Sequence, residues 1–234
     1  MADLPRSRVQ PSRVFSRVGT DYACQFLIQP RRSRGTQRMK CYICVFVWLS
    51  TKAVHIEIVG DLTSETFIAA LKRFIGRRGK PAEIYSDCGT NFIAADRELR
   101  RVVASLRKDE PVNKFFADGS ISWKFNTPAT PHFGGLWEAA IKSANLHLKR
   151  TMGKQILNYE EFLTLIIQIE ACLNSCPLCP ISEGPSELSV LTPVHFIIGT
   201  ALTTITEDNL LDEKISSLKR WKLTQQLLQS FWKR

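Results

Sequence analysis

The chain has 234 residues, of which 44% are hydrophobic, with 12 Gly and 11 Pro; this predicts a globular protein with a sizeable core and excludes a disordered tail. Its 32 basic residues outnumber its 22 acidic residues, which gives a formal net charge of +10. The longest apolar run, Cys41–Leu49, is too short to cross a bilayer, so we expect a soluble protein without a membrane partner.

The basic residues are concentrated near the amino terminus. Residues 1–40 contain nine Lys or Arg against Asp3 and Asp21, whereas residues 181–213 contain none. Such an arm predicts a polyanionic partner, with nucleic acid as the leading candidate and an ordinary solvated surface as the alternative. Seven cysteines, an odd number in a chain without a secretion signal, argue against a disulfide framework and favour a reducing compartment, the nucleus or the cytoplasm.

The first elements are predicted to be strands. Asp21 lies among strand-like residues, and residues 40–50 are apolar at nearly every position, as expected of a central strand covered on both faces. In residues 53–60, apolar residues alternate with His55 and Glu57. This alternation predicts a hairpin partner with one side facing solvent.

A helix and a further strand follow. Thr63 is placed to cap the helix, which Gly79 and Pro81 end, and one apolar stripe marks its buried side: Phe67, Ile68, Leu71, Phe74 and Ile75. Residues 81–89 then form a short strand that runs into a turn at Ser86–Gly89. The order strand, strand, helix, strand predicts an α/β fold.

The second half of the chain continues this pattern. We expect a basic helix over residues 95–108, a strand over 121–126 and an irregular Pro/Gly loop over 127–135, before a helix that begins near Leu136 and carries Glu138.

Two more helices are expected towards the carboxyl terminus. Asn158 and Glu161 have the spacing of a capping box, and the apolar residues of the helix that they open are Phe162, Leu165, Ile166, Ile169 and Leu173. Pro177 and Pro180 end it, and a last amphipathic segment covers residues 214–234.

Three acids are the candidate catalytic residues. Asp21 lies on the first strand, Asp87 follows a later strand, and Glu138 stands at a helix start. Carboxylates are ligands that Mg²⁺ prefers, and two such ions would clamp the attacking and leaving oxygens of a phosphoryl displacement without a nucleophilic side chain. Taken singly, each acid has an ordinary structural explanation as a turn residue, a first-turn helix acid or a strand-end residue.

Two cysteine pairs suggest a zinc site as an alternative. Cys41 and Cys44, like Cys176 and Cys179, have the spacing of zinc ligands. Cys41 and Cys44 are an odd number of residues apart on a predicted strand, so their side chains point to opposite faces. We therefore do not expect zinc there.

Four ordered stretches carry a family resemblance: residues 1–26, 51–92, 127–145 and 188–199. Together they resemble the integrases of Bel/Pao-type LTR retrotransposons, over nearly the whole chain. The resemblance implies an RNase H-like fold with a central mixed five-stranded sheet flanked by helices. It also implies a metal-dependent polynucleotidyl transferase and endonuclease that uses Mg²⁺ or Mn²⁺, trims element DNA ends and joins them to target DNA.

The resemblance also implies roles for single residues. The catalytic acids and metal ligands fall on Asp21, Asp87 and Glu138. The residues implied to contact DNA are Asn91, His132, Lys142, Asn145 and Lys149; for Lys142, Asn91 and His132, an ordinary helix surface, helix-cap or loop role is the alternative. The chain departs from the family at Cys24 and Gln25, where Gly-Pro is common, and at Asn145, where Lys is common.

The expected organisation is a basic arm over residues 1–14, an RNase H-like core over 15–200, and a linker with an amphipathic helix over 201–234. By resemblance, a zinc-binding module would precede Met1 and a DNA-binding module would follow Arg234. The partners implied are element and target DNA and a second copy of the chain, with no small-molecule cofactor. Two other functions stay open: a decayed or host-adopted DNA-binding domain, and an RNase H-type nuclease.

Overall fold

The computed structural model describes residues 11–31, 37–106, 121–126, 141–142, 145–153, 155–181, 189–214 and 219–233. The strands are β1 (Arg17–Ile28), β2 (Met39–Trp48), β3 (Val54–Val59), β4 (Glu83–Ser86), β5 (Ser122–Phe125), β6 (Cys179–Pro180) and β7 (Val190–Leu191). The helices are α1 (Ser64–Arg78), α2 (Thr90–Leu106), α3 (Tyr159–Asn174), α4 (Pro193–Ile198) and α5 (Arg220–Trp232). Residues 141–142 and 145–152 are also helical.

The main sheet has five strands in the order β3-β2-β1-β4-β5, and β6 pairs with β7 in a separate two-stranded sheet. In the main sheet β2 pairs with β3 antiparallel, whereas β4 pairs parallel with both β1 and β5. The predicted α/β fold with a central mixed sheet of five strands flanked by helices is therefore confirmed.

The chain divides into two compact units, the first comprising Met1–Ala23 and Tyr42–Ile141, the second Cys24–Cys41 and Lys142–Arg234. In the first unit, an aromatic core joins the sheet to α1 and α2. Phe74 stacks on Phe46 with ring centroids 4.4 Å apart, and Phe67 meets Phe92 edge to face at 4.9 Å. These rings are fully buried, so they supply much of the apolar burial that holds the helices to the sheet.

The ends of α1 are fixed as the sequence predicts. The Thr63 hydroxyl accepts a hydrogen bond from the Thr66 amide, and Gly79 closes the helix at φ 85° with its amide donating to the Ile75 carbonyl. This positive φ favours glycine because a side chain would be strained there. The fixed end of α1 sets the position at which β4 begins.

The second unit contains the predicted capping box. The Asn158 side chain accepts from the Glu161 amide, the Glu161 carboxylate accepts from the Asn158 amide, and Arg220 of α5 donates to both oxygens of that carboxylate. Glu161 therefore serves both the start of α3 and its packing against α5.

Three glutamines of α5 hold the segment before that helix. Gln225 and Gln229 donate to the Asp208 carbonyl, Gln226 donates to the carbonyls of Leu210 and Glu213, and Gln229 accepts from the Leu210 amide. Gln225 and Gln226 are buried. These amides satisfy backbone groups of a segment that has no regular secondary structure.

Two predicted details are wrong. α2 begins at Thr90 rather than Ala95, because the carbonyl of Gly89 already accepts helical hydrogen bonds from the amides of Phe92 and Ile93. The side of β3 expected to face solvent is covered: His55 and Glu57 are only 1% and 4% exposed. Their burial is tolerated because charged side chains of α1 bond to them, as described below. Within the described ranges, no helix has both the length and the hydrophobicity needed to cross a membrane.

Candidate active site

The parallel pairing of β1 with β4 places two of the predicted acids on, or directly after, adjacent strands. Val18 lies opposite Ile84 and Gly19 opposite Tyr85; Asp21 follows on β1, and Asp87 comes directly after β4. Adjacent strands are about 4.8 Å apart. Asp21, on β1, is half-buried, whereas Asp87, after β4, is exposed to solvent.

The turn after β4 is fixed by contacts with β5. The Trp123 indole donates to the Ser86 hydroxyl at 2.9 Å, and that hydroxyl donates to the Asp87 carbonyl at 2.9 Å. The Cys88 thiol donates to the Asn126 carbonyl at 3.0 Å. The backbone that carries Asp87 is thus tied to the sheet on both sides of the acid.

Because Gly89 has no side chain, the side chains of Asp87 and Asn91 can both lie close to its backbone. Its amide donates to Asp87 Oδ1 at 3.0 Å, and an added Cβ would lie 2.7 Å from Asn91 Oδ1 and 3.0 Å from Asp87 Oδ1. Any side chain at residue 89 would therefore push the acid or the amide away. Asn91 lies at the site on α2, which is compatible with the DNA contact implied by the resemblance.

Tyr22 is a site residue that the sequence did not reveal. Its ring stacks on Phe92 at 5.3 Å and meets Phe67 edge to face, and its amide donates to Asp21 Oδ1 at 2.7 Å. Burial raises the pKa of the Tyr22 hydroxyl, nearby negative charge including that of Asp21 adds to the effect, and the Asn91 amide opposes it. Nothing in the local sequence marks Tyr22, because its partners are far along the chain.

The two carboxylates fit a divalent cation in chemistry. Both supply the hard oxygen ligands that such an ion prefers. Among the residues described, no group of three or more His, Cys, Asp or Glu side chains is placed to hold a metal ion. Glu138, the third predicted ligand, lies outside the described residues, as does His132.

The other predicted DNA contacts lie on helical residues of the second unit. Lys142 and Lys149 are exposed and Asn145 is half-buried. Ile141, directly before Lys142, is 3% exposed. The exposed lysines provide positive charge that solvent, and hence a polyanion, can reach.

Cys41 and Cys44 lie in an environment that is unfavourable for zinc. Both are buried, and burial raises the pKa of each thiol to about 12. Since zinc binds the thiolate, this burial opposes metal binding. Cys176 and Cys179 are exposed.

Comparison with known proteins yields structural neighbours only. Neither a protein-family model nor a curated protein matches the sequence. A chain from the cryo-EM structure of the simian T-cell lymphotropic virus intasome, in complex with PP2A regulatory subunit B56 gamma, has a TM-score of 0.50 and 15% identity over 89% of this chain. The present chain spans 64% of that one.

A second neighbour is the HTLV-2 integrase catalytic core domain in complex with magnesium, in its trimeric form. It has a TM-score of 0.45 and 15% identity, over 80% of this chain and 99% of the neighbour. The fold resembles that of the intasome chain. At 15% identity, the intasome similarity shows the RNase H-like fold and not the activity.

Proposed function

We propose that this chain is the catalytic core of a Bel/Pao-type retrotransposon integrase, which processes DNA 3′ ends and joins them to target DNA. The observation that carries the proposal is the parallel pairing of β1 with β4, because Asp21 lies on β1 and Asp87 directly follows β4. Ligand sites of α/β sheets collect at the carboxyl ends of strands, where Asp87 lies. The sequence resemblance supplies the reaction class, and the integrase-like fold is compatible with it.

In the proposed reaction, Asp21, Asp87 and Glu138 hold Mg²⁺ or Mn²⁺. When bound, the ions supply Lewis-acid stabilisation and an activated water or 3′-hydroxyl. The chain's own residues fix the geometry: the Ser86 and Gly89 contacts orient Asp87, and the Tyr22 amide orients Asp21. Asn91, His132, Lys142, Asn145 and Lys149 are the proposed DNA contacts. The proposal extends to a homo-oligomer that acts in the nucleus and also occurs in the cytoplasm.

The decisive experiment is a strand-transfer assay with Mn²⁺ and a labelled element end. Wild-type protein should give joined products, whereas Asp87→Asn and Glu138→Gln should reduce joining and nicking to the level without metal and still bind DNA. Asp96→Asn is the matched control. Asp96 forms an i,i+4 pair with Arg100 on α2, which is worth only about 0.3–0.5 kcal/mol, so activity should persist.

Three outcomes would contradict the proposal. Metal-dependent nicking without joining would indicate an RNase H-type nuclease, and DNA binding with neither reaction would indicate a decayed or host-adopted domain. Normal turnover by Asp87→Asn would remove that carboxylate from the mechanism.

A further inference from the structure

Tyr22 and Asn91 connect the elements that carry two of the predicted acids. The Tyr22 amide donates to Asp21 Oδ1 at 2.7 Å. The Tyr22 ring stacks on Phe92, the residue after Asn91, with ring centroids 5.3 Å apart. Asn91 is the second residue of α2, and all of these residues belong to the first unit. The contacts of Tyr22 therefore reach from the acid on β1 to the start of the helix that follows Asp87.

The polar ends of the Tyr22 and Asn91 side chains are buried next to each other. Within the described ranges, neither the Tyr22 hydroxyl nor Asn91 Nδ2 has a partner at an ordinary hydrogen-bond distance and angle. Burial raises the pKa of the Tyr22 hydroxyl, and the Asn91 side chain opposes this rise. A neighbour that lowers the pKa of a phenol stabilises the phenolate, as an N–H donor does. The NH₂ group of Asn91 is therefore directed towards Tyr22.

The oxygen of the same amide lies beside Asp87. A Cβ added at Gly89 would be 2.7 Å from Asn91 Oδ1 and 3.0 Å from Asp87 Oδ1, so a single point lies within 3.0 Å of both oxygens. The Gly89 amide donates to Asp87 Oδ1 at 3.0 Å, which fixes the carboxylate in this position. Asn91 is half-buried and Asp87 is exposed. The amide thus turns its nitrogen to the interior and its oxygen to the predicted metal ligand.

This orientation decides whether the Asn91 side chain can serve a divalent cation. Carboxylate and carbonyl oxygens both suit Mg²⁺ and Mn²⁺, often with water completing the coordination. The NH₂ group of an amide is a donor only, so it would repel the ion. The two ends of an amide have the same shape, and their hydrogen-bond partners determine which end faces the ion. A hydroxyl that can accept from the NH₂ group therefore favours the arrangement with the oxygen beside Asp87.

We propose that Asn91 Oδ1 is a further ligand, direct or through a water molecule, of the divalent cation at the predicted acids, and that the Tyr22 hydroxyl is the positioning group that keeps this oxygen turned towards Asp87. The inference rests on the proposed function for the presence of the cation. It gives Asn91 a role in addition to the proposed DNA contact. If Tyr22 only packs in the core and Asn91 only contacts DNA, neither side chain should affect metal affinity.

The test measures Mn²⁺ binding to the full chain without DNA, by isothermal titration calorimetry. Loss of a group that orients a metal ligand typically weakens metal binding by about 10–100-fold. Asn91→Ala should raise the Kd for Mn²⁺ by about 10–100-fold and Tyr22→Phe by about 10-fold. Asn91→Asp keeps an oxygen ligand and should bind Mn²⁺ at least as tightly as wild type. The matched controls, Asn209→Ala and Tyr159→Phe in the second unit, should leave the Kd unchanged.

Thermal unfolding separates the positioning role of Tyr22 from a role in folding. Tyr22→Phe keeps the ring on Phe92 and removes a buried hydroxyl that has no well-formed hydrogen bond to the described residues, so the thermal midpoint should stay the same or rise. A lower midpoint would overturn the positioning role, because it would show that the hydroxyl supports the fold. An unchanged Kd in Asn91→Ala, or an equal rise in the controls, would overturn the metal role of Asn91.

The outcomes also separate this inference from the proposed function. The expected changes in Kd, found in a protein that does not join DNA ends, would refute the proposed function alone. Strand transfer by a protein whose Mn²⁺ affinity does not depend on Asn91 would refute the inference alone. Equal Mn²⁺ binding by wild type and Asp87→Asn would refute both, because no ion would then be held at that carboxylate.

Discussion

Replacing the buried carboxylate of Glu57 by an amide should destabilise the first unit strongly. Glu57 is 4% exposed and accepts from Arg73 and Arg77 beside His55. In Glu57→Gln, the new NH₂ group would face donors instead of accepting from them. Breaking a fully buried ion pair costs about 3–5 kcal/mol. Because the two arginine heads are partly exposed, solvent screening reduces this, and we expect a loss of about 2–3 kcal/mol.

The measurement is urea unfolding followed by the fluorescence of Trp48 and Trp123, both buried in the first unit. At a slope of about 1–3 kcal/mol/M, the midpoint should fall by roughly 0.7–3 M. Glu65→Gln is the control. Glu65 is an exposed acid in the first turn of α1, the helix that carries Arg73 and Arg77. Its loss should cost at most about 1 kcal/mol through the helix dipole.

The pH dependence gives an independent check. Burial by itself would raise the pKa of Glu57, but the bonds from His55 and Arg73 outweigh it and lower the pKa below its ordinary value. Stability from this carboxylate is therefore complete above the ordinary carboxyl pKa and is lost as pH falls through the lower folded pKa. The difference between wild type and Glu57→Gln should shrink below about pH 4. An unchanged midpoint, or a difference that stays constant into acid, would refute this reasoning.

Two other changes are predicted from backbone geometry. Gly79→Ala should lower the unfolding free energy by at least about 1 kcal/mol, because φ is 85° and a Cβ would meet Arg13 Nη1 at 2.7 Å. Gly76 lies within α1, and an added Cβ there would have nothing within 4 Å. Gly76→Ala should therefore raise the unfolding free energy by about 0.5–1 kcal/mol. Equal effects of the two substitutions in urea titrations would contradict this contrast. Asn158→Ala removes the acceptor for the Glu161 amide and should cost about 1 kcal/mol, seen as a lower thermal midpoint; an unchanged midpoint would show that the cap contributes nothing.

The sequence predicted what depends on local signals and missed what depends on distant partners. The capping residues Thr63 and Asn158 and the break at Gly79 follow from local chemistry, and the structure has them. From the alternation in β3, His55 and Glu57 were predicted to face solvent. The prediction is wrong because the arginines that cover them lie on the next helix, α1, which the pattern of a single strand does not reveal.

For the candidate site, the sequence indicated the residue types but not their arrangement. Asp21 and Asp87 were singled out as acids on or after strands, whereas the neighbouring positions of those strands depend on the pairing of β1 with β4. Tyr22 was missed for the same reason, since its contacts with Phe67 and Phe92 are long-range. The roles of Asp21, Asp87, Glu138 and the DNA contacts remain predictions.

The glutamine contacts of α5 have a consequence for how the second unit responds to solution conditions. Amide side chains carry no net charge and do not titrate over the pH range in which carboxylates and imidazoles do. Added salt screens ion pairs but has little effect on neutral hydrogen bonds. Residues 208–213 should therefore stay attached to α5 in acid and in concentrated salt, conditions that weaken the ionic contacts elsewhere in the molecule.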